Sequence, residues 1–443
     1  MAQSLHDDQP RWNSLPLRHI GSFWLLIAAQ FVEQFADALN LLLLLALMRA
    51  AFADDTLLAN QALFIPMFIP IILLGPVAGV FVDRHSRRGW MLTAAAGRFV
   101  FIGVMALLAR PLLAGSRAAL GGTIGAILAV SSLWQFYNPA RSAALPEVVP
   151  AARLAVANSV SITILLIMQI VGYVMGGILG DNIDLSKALA VNAGLYLGTL
   201  LLLSVIRFHP SGDHVFHPLS FRQIWKELWA ALRLLFSRAA HLRGSLVKVI
   251  GLAVLTGVSF TAMQGFAQEL TSGWLAGTET FLKSRLGIAL GPLSRFTFLL
   301  LAAGLGAGLG IVLLGWLKDH VSQNLLIQCA LLLAAGSFLL VSMSRTFSQA
   351  VLGMVGTGWG AGLVLALVEA RIQIWIPAHA RGKALSAYFL LRNGVVILGV
   401  SALPKVLGTL TGPDPRLLLN YAAWGAVFFG VATAVAGAIH RRT

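Results

Sequence analysis

Runs of about twenty apolar residues, the length needed to cross a bilayer as a helix, recur along the whole chain and leave room for little else. They predict membrane helices near 20–49, 57–82, 89–109, 119–139, 154–180, 187–206, 246–272, 291–316, 323–343, 348–376, 382–409 and 417–438. Of the 443 residues, 58% are hydrophobic and 11% are charged, with a mean hydropathy of +0.82. A water-soluble domain carries about a quarter charged residues. The composition therefore excludes a soluble globular protein and implies a multi-pass membrane protein.

The formal net charge of +15, from 32 Lys and Arg against 17 Asp and Glu, would suggest nucleic acid in a soluble chain. Here the basic residues concentrate in the loops on the side of Arg84 and of both termini, which orients those loops toward the cytoplasm and gives the charge an acidic lipid surface as its partner. Nucleic acid is not an expected partner. Residues 1–19 read as a cytoplasmic lead-in without a cleavable signal, so the first helix directs insertion. A lone Cys329 in an apolar run excludes an internal disulfide and reads as a packing residue.

One stretch, Gly75 to Trp90, shows a helix meeting the cytoplasm. Gly75 and Gly79 share a helix face that lets a neighbour come close. Asp83 sits at the negative end of the helix dipole, where Arg84, Arg87, Arg88 or the N-terminus of another helix must compensate it. The Gly79-to-Asp83 spacing recurs in the second half as Gly315 to Asp319. Ala140-Arg141 and Pro150 to Arg153 recur at nearly the same offset as Ala370-Arg371 and Pro377 to Arg381. Two echoes at nearly one offset are what a duplicated six-helix unit leaves behind.

The first helix holds the most expensive residues in the chain. Glu33 and Asp37 are i, i+4 on one face of a segment otherwise written in Phe, Leu, Ile and Ala, and intramembrane carboxylates face a protein interior or a watery cavity. They are candidates for coupling or substrate contact, or for neutralising a buried arginine such as Arg98 or Arg392. Trp134, Gln135, Tyr137 and Asn138 form a polar and aromatic cluster on the fourth helix that is expected to line a cavity. Asn138 to Glu147 reads as a tight cytoplasmic turn with Arg141 and Glu147 paired. Gly172, Gly176 and Gly180 give the fifth helix a smooth packing face.

Residues 207–245 form the long polar segment, with an amphipathic basic helix from Phe221 on the inner membrane surface. His209, His214 and His217 in front of it read as a solvated loop, and neither metal nor cofactor is expected. In the second half, Glu369, Arg371 and Arg392 join the candidate coupling or substrate residues. The glycines of the eighth and tenth helices predict either close packing or sliding contacts.

Gly79-x-x-x-Asp83-Arg84-x-x-Arg87-Arg88 resembles the signature loop of the major facilitator superfamily, with Ser86 in place of a usual glycine. The resemblance covers essentially the whole chain. It implies an all-α integral membrane fold of twelve transmembrane helices in two six-helix pseudo-symmetric bundles, 20–206 and 246–443, joined by the linker 207–245. Ala29-Gln30-Phe31-x-x-x-Phe35-x-Asp37 resembles lysophospholipid transporters. Phe136-x-Asn138-Pro139-Ala140-Arg141 with Leu145-Pro146 and Ala157-Asn158 is similar to macrolide and siderophore exporters. The family implies alternating access, with Asp83, its basic neighbours and the start of the eleventh helix latching the cytoplasmic side. It leads us to expect a monomeric, proton-coupled exporter of amphipathic small molecules in a bacterial-type inner membrane, both termini cytoplasmic. A lysophospholipid flippase is the alternative, and a non-transporting receptor or assembly factor the alternative of another class. An enzyme is not expected, because no paired aspartates on facing helices, Ser/His pair or His/Glu metal set is present.

Overall fold

The computed structural model describes residues 20–206 and 240–439, apart from breaks at 54, 85, 271–275, 318–319, 377, 405 and 407–414, together with a few positions between 226 and 236. The linker histidines and most of the amphipathic helix lie outside the described residues, as do both termini.

The described chain is helical throughout. In order, the helices are α1 (Gly21–Ala51), α2 (Thr56–Arg84), α3 (Arg87–Leu113), α4 (Arg117–Val148), α5 (Leu154–Asn182), α6 (Leu185–Val205), α7 (Ala240–Glu269), α8 (Ala276–Leu286), α9 (Pro292–Leu317), α10 (Gln323–Met343), α11 (Phe347–Trp375), α12 (Ala378–Ser401) and α13 (Pro415–Ile439). Among the described residues, twelve helices are long and apolar enough to span a membrane, and α8 is a short helix between two of them. Apolar side chains such as Leu107, Val312 and Phe428 point outward, as they must where the solvent is lipid.

Local chemistry sets the helix ends. Ser86 Oγ accepts from Gly89 N and Ser116 Oγ from Ala119 N, capping α3 and α4. Asp184 Oδ1 accepts from Lys187 N at the start of α6, and Thr346 with Gln349 forms a capping box on α11. Gly115, at φ 85°, makes the left-handed turn that closes α3, where a side chain would be strained.

Two boundaries differ from the sequence reading. Residues Asn138 to Glu147 are not a turn: α4 runs through Pro139 and Pro146 to Val148, and the break is the single 3₁₀ turn Ala151–Arg153. Inside a membrane bundle, neighbouring groups can satisfy the carbonyls that proline frees, so the helix is not obliged to stop. Likewise α12 begins at Ala378, ahead of Arg381-Gly382-Lys383. Cys329 is exposed on α10 instead of packed inside.

The chain divides into two compact units. The first takes residues up to 51, 66–179 and 183–220; the second takes 52–65, 180–182 and 221–443. Within the first, α3 packs between α4 and α6, and α6 packs on α1. Within the second, α10 packs between α11 and α13, and α13 packs on α7. The same pairings in the same chain order show the duplication that the loop echoes implied.

Glycines make these contacts close. In the first unit, a Cβ on Gly172 would stand 2.7 Å from Ala38 Cβ and from Phe35 O, and one on Gly176 would stand 2.8 Å from Leu42 Cβ, so α5 lies tightly on α1. In the second unit, Gly306 and Gly310 seat α9 against the backbone of Val355 and Trp359, while Gly358 and Gly362 seat α11 against Ala303 and Ala307. These glycines are for close packing, with each helix offering its row to the other.

Candidate functional site

The charged centre of the first unit grows from the spacing on α1. Gln30, Glu33, Gln34, Asp37 and Asn40 recur every three or four residues, and all but Asp37 are buried. A stripe of that kind must meet polar partners on neighbouring helices. The packing of α3 between α4 and α6 delivers them.

Arg98, from α3, is fully buried and lies between both carboxylates. Its Nη1 donates to Asp37 Oδ1 at 2.9 Å, and its Nη2 lies 2.6 Å from Glu33 Oε1. The second contact is an ion pair out of hydrogen-bond alignment, so neither Glu33 oxygen has a hydrogen-bond partner. The guanidinium also lies over two aromatic rings, 4.7 Å from the Tyr137 centroid and 5.4 Å from that of Tyr196, which adds cation–π attraction. Tyr196 from α6 donates its hydroxyl to Asp37 Oδ1 at 2.5 Å, and Trp134 from α4 donates its indole N–H to Oδ2 at 3.2 Å.

Asp37 thus has three donors from three helices, yet its side chain retains 20% exposure while that of Glu33 has 1%. It opens on a cavity of about 230 Å³ that lies wholly in the first unit. The polar lining includes Gln34, Asn40, Gln135, Gln169 and Tyr173, and the apolar lining includes Leu41, Leu44, Ile71 and Val130. Trp134 and Gln135 line the cavity as the sequence suggested. Tyr137 and Asn138 do not: Tyr137 is buried against Arg98, and Asn138 is not part of the lining.

Below this centre a second network ties α1 to α5. Gln30 Nε2 donates to the Ser161 carbonyl at 2.7 Å, Ser161 Oγ donates back to Gln30 Oε1 at 2.6 Å, and Arg141 Nη1 donates to Ser161 Oγ at 3.1 Å. Arg141 and Glu147 are therefore not a pair. Glu147 instead receives Arg87 at 2.8 Å.

A sequence model of the Major Facilitator Superfamily matches residues 26–399. The chain belongs to the major facilitator superfamily. Among curated superfamily members, an uncharacterised transporter from Mycobacterium tuberculosis is 35% identical over 160 residues, covering 34% of this chain and 33% of that protein. The uncharacterised transporter YfiS of Bacillus subtilis is 28% identical over 192 residues, covering 40% of each. The chain thus spans about a third to two-fifths of the length of these relatives. The superfamily fold is shared with the crystal structure of the nucleoside transporter NupG, at 14% identity and TM-score 0.65 over 94% of this chain and 98% of that one. It is shared also with the peptide transporter POT in complex with sulfate, at 14% identity and TM-score 0.68 over 97% of each. At such identities the likeness speaks for the superfamily fold alone.

In the superfamily signature loop, Gly79, Asp83 and Arg84 belong to the end of α2, and their side chains lie outside the described residues, as do those of Gly315 to Asp319. Arg87 donates to the Ala143 carbonyl at 2.9 Å as well as to Glu147, and Arg88 donates to the Ser204 carbonyl at 2.6 Å. Both therefore fasten the start of α3 to the ends of α4 and α6. In the second unit, Arg392 lies 3.6 Å from Glu369, with its guanidinium over Tyr388 and Phe389. Arg371 donates to Ser245 Oγ at 2.6 Å, Asn324 Oδ1 at 2.7 Å and Gln323 Oε1 at 3.4 Å.

The sequence reading missed Gln30, Gln34, Asn40, Ser161, Gln169, Tyr173 and Tyr196. The α1 members were visible as a polar stripe at helical spacing. Ser161, Gln169, Tyr173 and Tyr196 sit singly in apolar helices, where only the packing identifies them.

Proposed function

We propose that this protein is a secondary active transporter working by alternating access, and that it exports amphipathic small molecules in exchange for protons. The observation that carries the reading is one buried guanidinium shared by two carboxylates, one of which opens on a cavity. With both carboxylates ionised, Arg98 balances one of the two charges directly, and Arg141, on the neighbouring Ser161 network, acts on both from further off. A proton on one carboxylate relieves the more weakly paired charge. A substrate that reaches Asp37 from the cavity alters the charge balance of the centre that Asp37 and Glu33 share, which is the coupling that exchange requires. Arg98 and Tyr196 act as positioning residues, fixing Asp37 at the cavity wall.

The direction of transport and a bacterial-type inner membrane with both termini cytoplasmic belong to the same proposal. So does the cytoplasmic latch of Asp83 with its basic neighbours.

The test is transport in inverted vesicles with and without a proton gradient, using a panel of amphipathic drugs and a fluorescent lysophosphatidylethanolamine. Gradient-driven drug movement is expected, and Asp37→Asn should abolish the gradient dependence while leaving substrate exchange. Intact gradient-driven transport by Asp37→Asn would remove Asp37 from the coupling. Lysolipid movement indifferent to the gradient would replace the exporter reading with a flippase.

A further inference from the structure

The cavity beside Asp37 has a hydrogen-bonding character that the proton-coupled reading does not use. Its lining holds one carboxylate and, among the described residues, no basic side chain. That carboxylate is nearly saturated: Oδ1 takes Arg98 and Tyr196, and Oδ2 takes Trp134. A carboxylate has about four lone-pair sites, so about one remains. Asp37 is therefore poorly placed to serve as the sole counter-ion of a cationic ligand, because a fully buried guanidinium already holds it.

The unused capacity belongs to neutral amides. Gln34 makes no side-chain hydrogen bond among the described residues. Asn40 accepts at Oδ1 from Asn192 Nδ2 at 3.2 Å, which leaves its own Nδ2 free. Gln169 donates from Nε2 to the Tyr173 hydroxyl at 3.0 Å, which leaves Oε1 free. Gln135 reaches only the Ser131 carbonyl of its own helix, from Nε2 at 3.5 Å, and its Oε1 is also free. The wall thus offers both free donors and free acceptors, with no net charge of their own. That mixture complements hydroxyl groups, each of which both donates and accepts. It complements an ammonium or a sulfate badly, since each presents only donors or only acceptors and would be desolvated without a counter-charge.

Two further features define the rest of the ligand. Trp134 is 37% exposed and offers a flat indole face for the C–H surface of a ring. Leu41, Leu44, Ile71, Ile127 and Val130 make the remaining wall apolar. At about 230 Å³ the cavity is smaller than the roughly 300–1,000 Å³ pockets that enclose drug-sized ligands. It holds a head group and leaves the remainder of the ligand outside.

We propose that this cavity receives an uncharged, hydroxyl-rich head group, such as a glycosyl or comparable polyol unit, of an amphipathic substrate. The inference rests on the exporter reading for the word substrate, though binding can be tested without it. Gln34 and Gln169 determine specificity: a site built to hydrogen-bond hydroxyls rejects ligands that cannot make those bonds.

The experiment uses full-length protein in lipid nanodiscs prepared free of glycoside detergent, which would itself compete. Three probes share one octyl chain and differ only in the head: octyl glucoside, octylammonium and octyl sulfate. Binding is read from quenching of tryptophan fluorescence. The glucoside should bind at least about tenfold more tightly than either charged probe, and Gln34→Leu and Gln169→Leu should each weaken it about five- to tenfold, the worth of about one hydrogen bond. Gln34→Glu, which keeps the shape and adds a charge, should move the preference toward the ammonium probe. Tighter binding of a charged probe by the wild type would overturn the inference. So would glucoside binding indifferent to all three substitutions, or no binding of any probe. If the glucoside binds as expected while vesicles show no gradient-driven transport, the exporter reading fails and the head-group inference stands.

Discussion

The two units repeat one packing scheme but treat charge in opposite ways. In the first, Arg98 and Glu33 are sealed among aromatic rings, with Asp37 as the single point of access. In the second, Arg371 is held by the neutral oxygens of Ser245, Asn324 and Gln323. Arg392 and Glu369 stand 3.6 Å apart with side chains 26% and 33% exposed. The duplicated scaffold therefore does not dictate where the chemistry goes. A concentrated centre with one opening suits a group whose charge must change in response to a ligand, whereas a screened, partly exposed pair responds weakly to either partner.

Substitutions can break or sharpen that contrast. The largest effect is expected from Arg98→Met, which leaves two carboxylates facing each other without their cation; removing one partner of a buried pair costs about 3–5 kcal/mol. Thermal unfolding in nanodiscs should show a deep loss of stability, largely restored when Glu33→Gln and Asp37→Asn are added. A melting curve for Arg98→Met that overlays the wild type would collapse the comparison. Next comes Arg371→Met, which removes hydrogen bonds worth about 1.5–3 kcal/mol each when one partner is charged, offset by partners that are themselves neutral; a clear drop is expected, smaller than that of Arg98→Met.

A glycine pair tests the helix contacts of the second unit. A Cβ on Gly358 would stand 2.6 Å from the Ala303 carbonyl carbon, whereas one on Gly304 meets nothing within 4 Å. Gly358→Ala should cost about 1–3 kcal/mol through overpacking, and Gly304→Ala should change stability by less than about 0.5 kcal/mol. Equal effects would mean that the glycine rows do not set the contact. Arg392→Met should be the mildest of the charge removals, at most about 1 kcal/mol, because its pair is partly exposed and screened. If it matched Arg98→Met in cost, exposure would not be what separates the two units.

Much of this arrangement was legible in the sequence because it is local. The twelve spans follow from apolar runs of sufficient length, and Glu33 with Asp37 stood out as an i, i+4 pair where lipid would not tolerate them. Arg98 was identifiable as a partner for the same reason. The rest depends on residues far apart in the chain: Asp37 meets Tyr196 only because α6 packs on α1, and Gln30 meets Ser161 only because Gly172 and Gly176 let α5 come close. A lone tyrosine or serine in an apolar helix carries no such signal. The extension of α4 through Pro139 and Pro146 was missed because proline is a strong helix breaker in water, and the membrane bundle relaxes that rule.

The polar stripe on α1 also bears on how the protein is made. A single aspartate at the centre of a helix disfavours membrane insertion by about 2.5–3.5 kcal/mol, and α1 adds Glu33, Gln30, Gln34 and Asn40 to Asp37. The cation that offsets this lies 61 residues downstream of Asp37, on α3. Until α3 follows it, α1 holds its carboxylates in apolar surroundings without their cation. The ion pair that organises the finished site thus also makes α1 depend on a segment translated later.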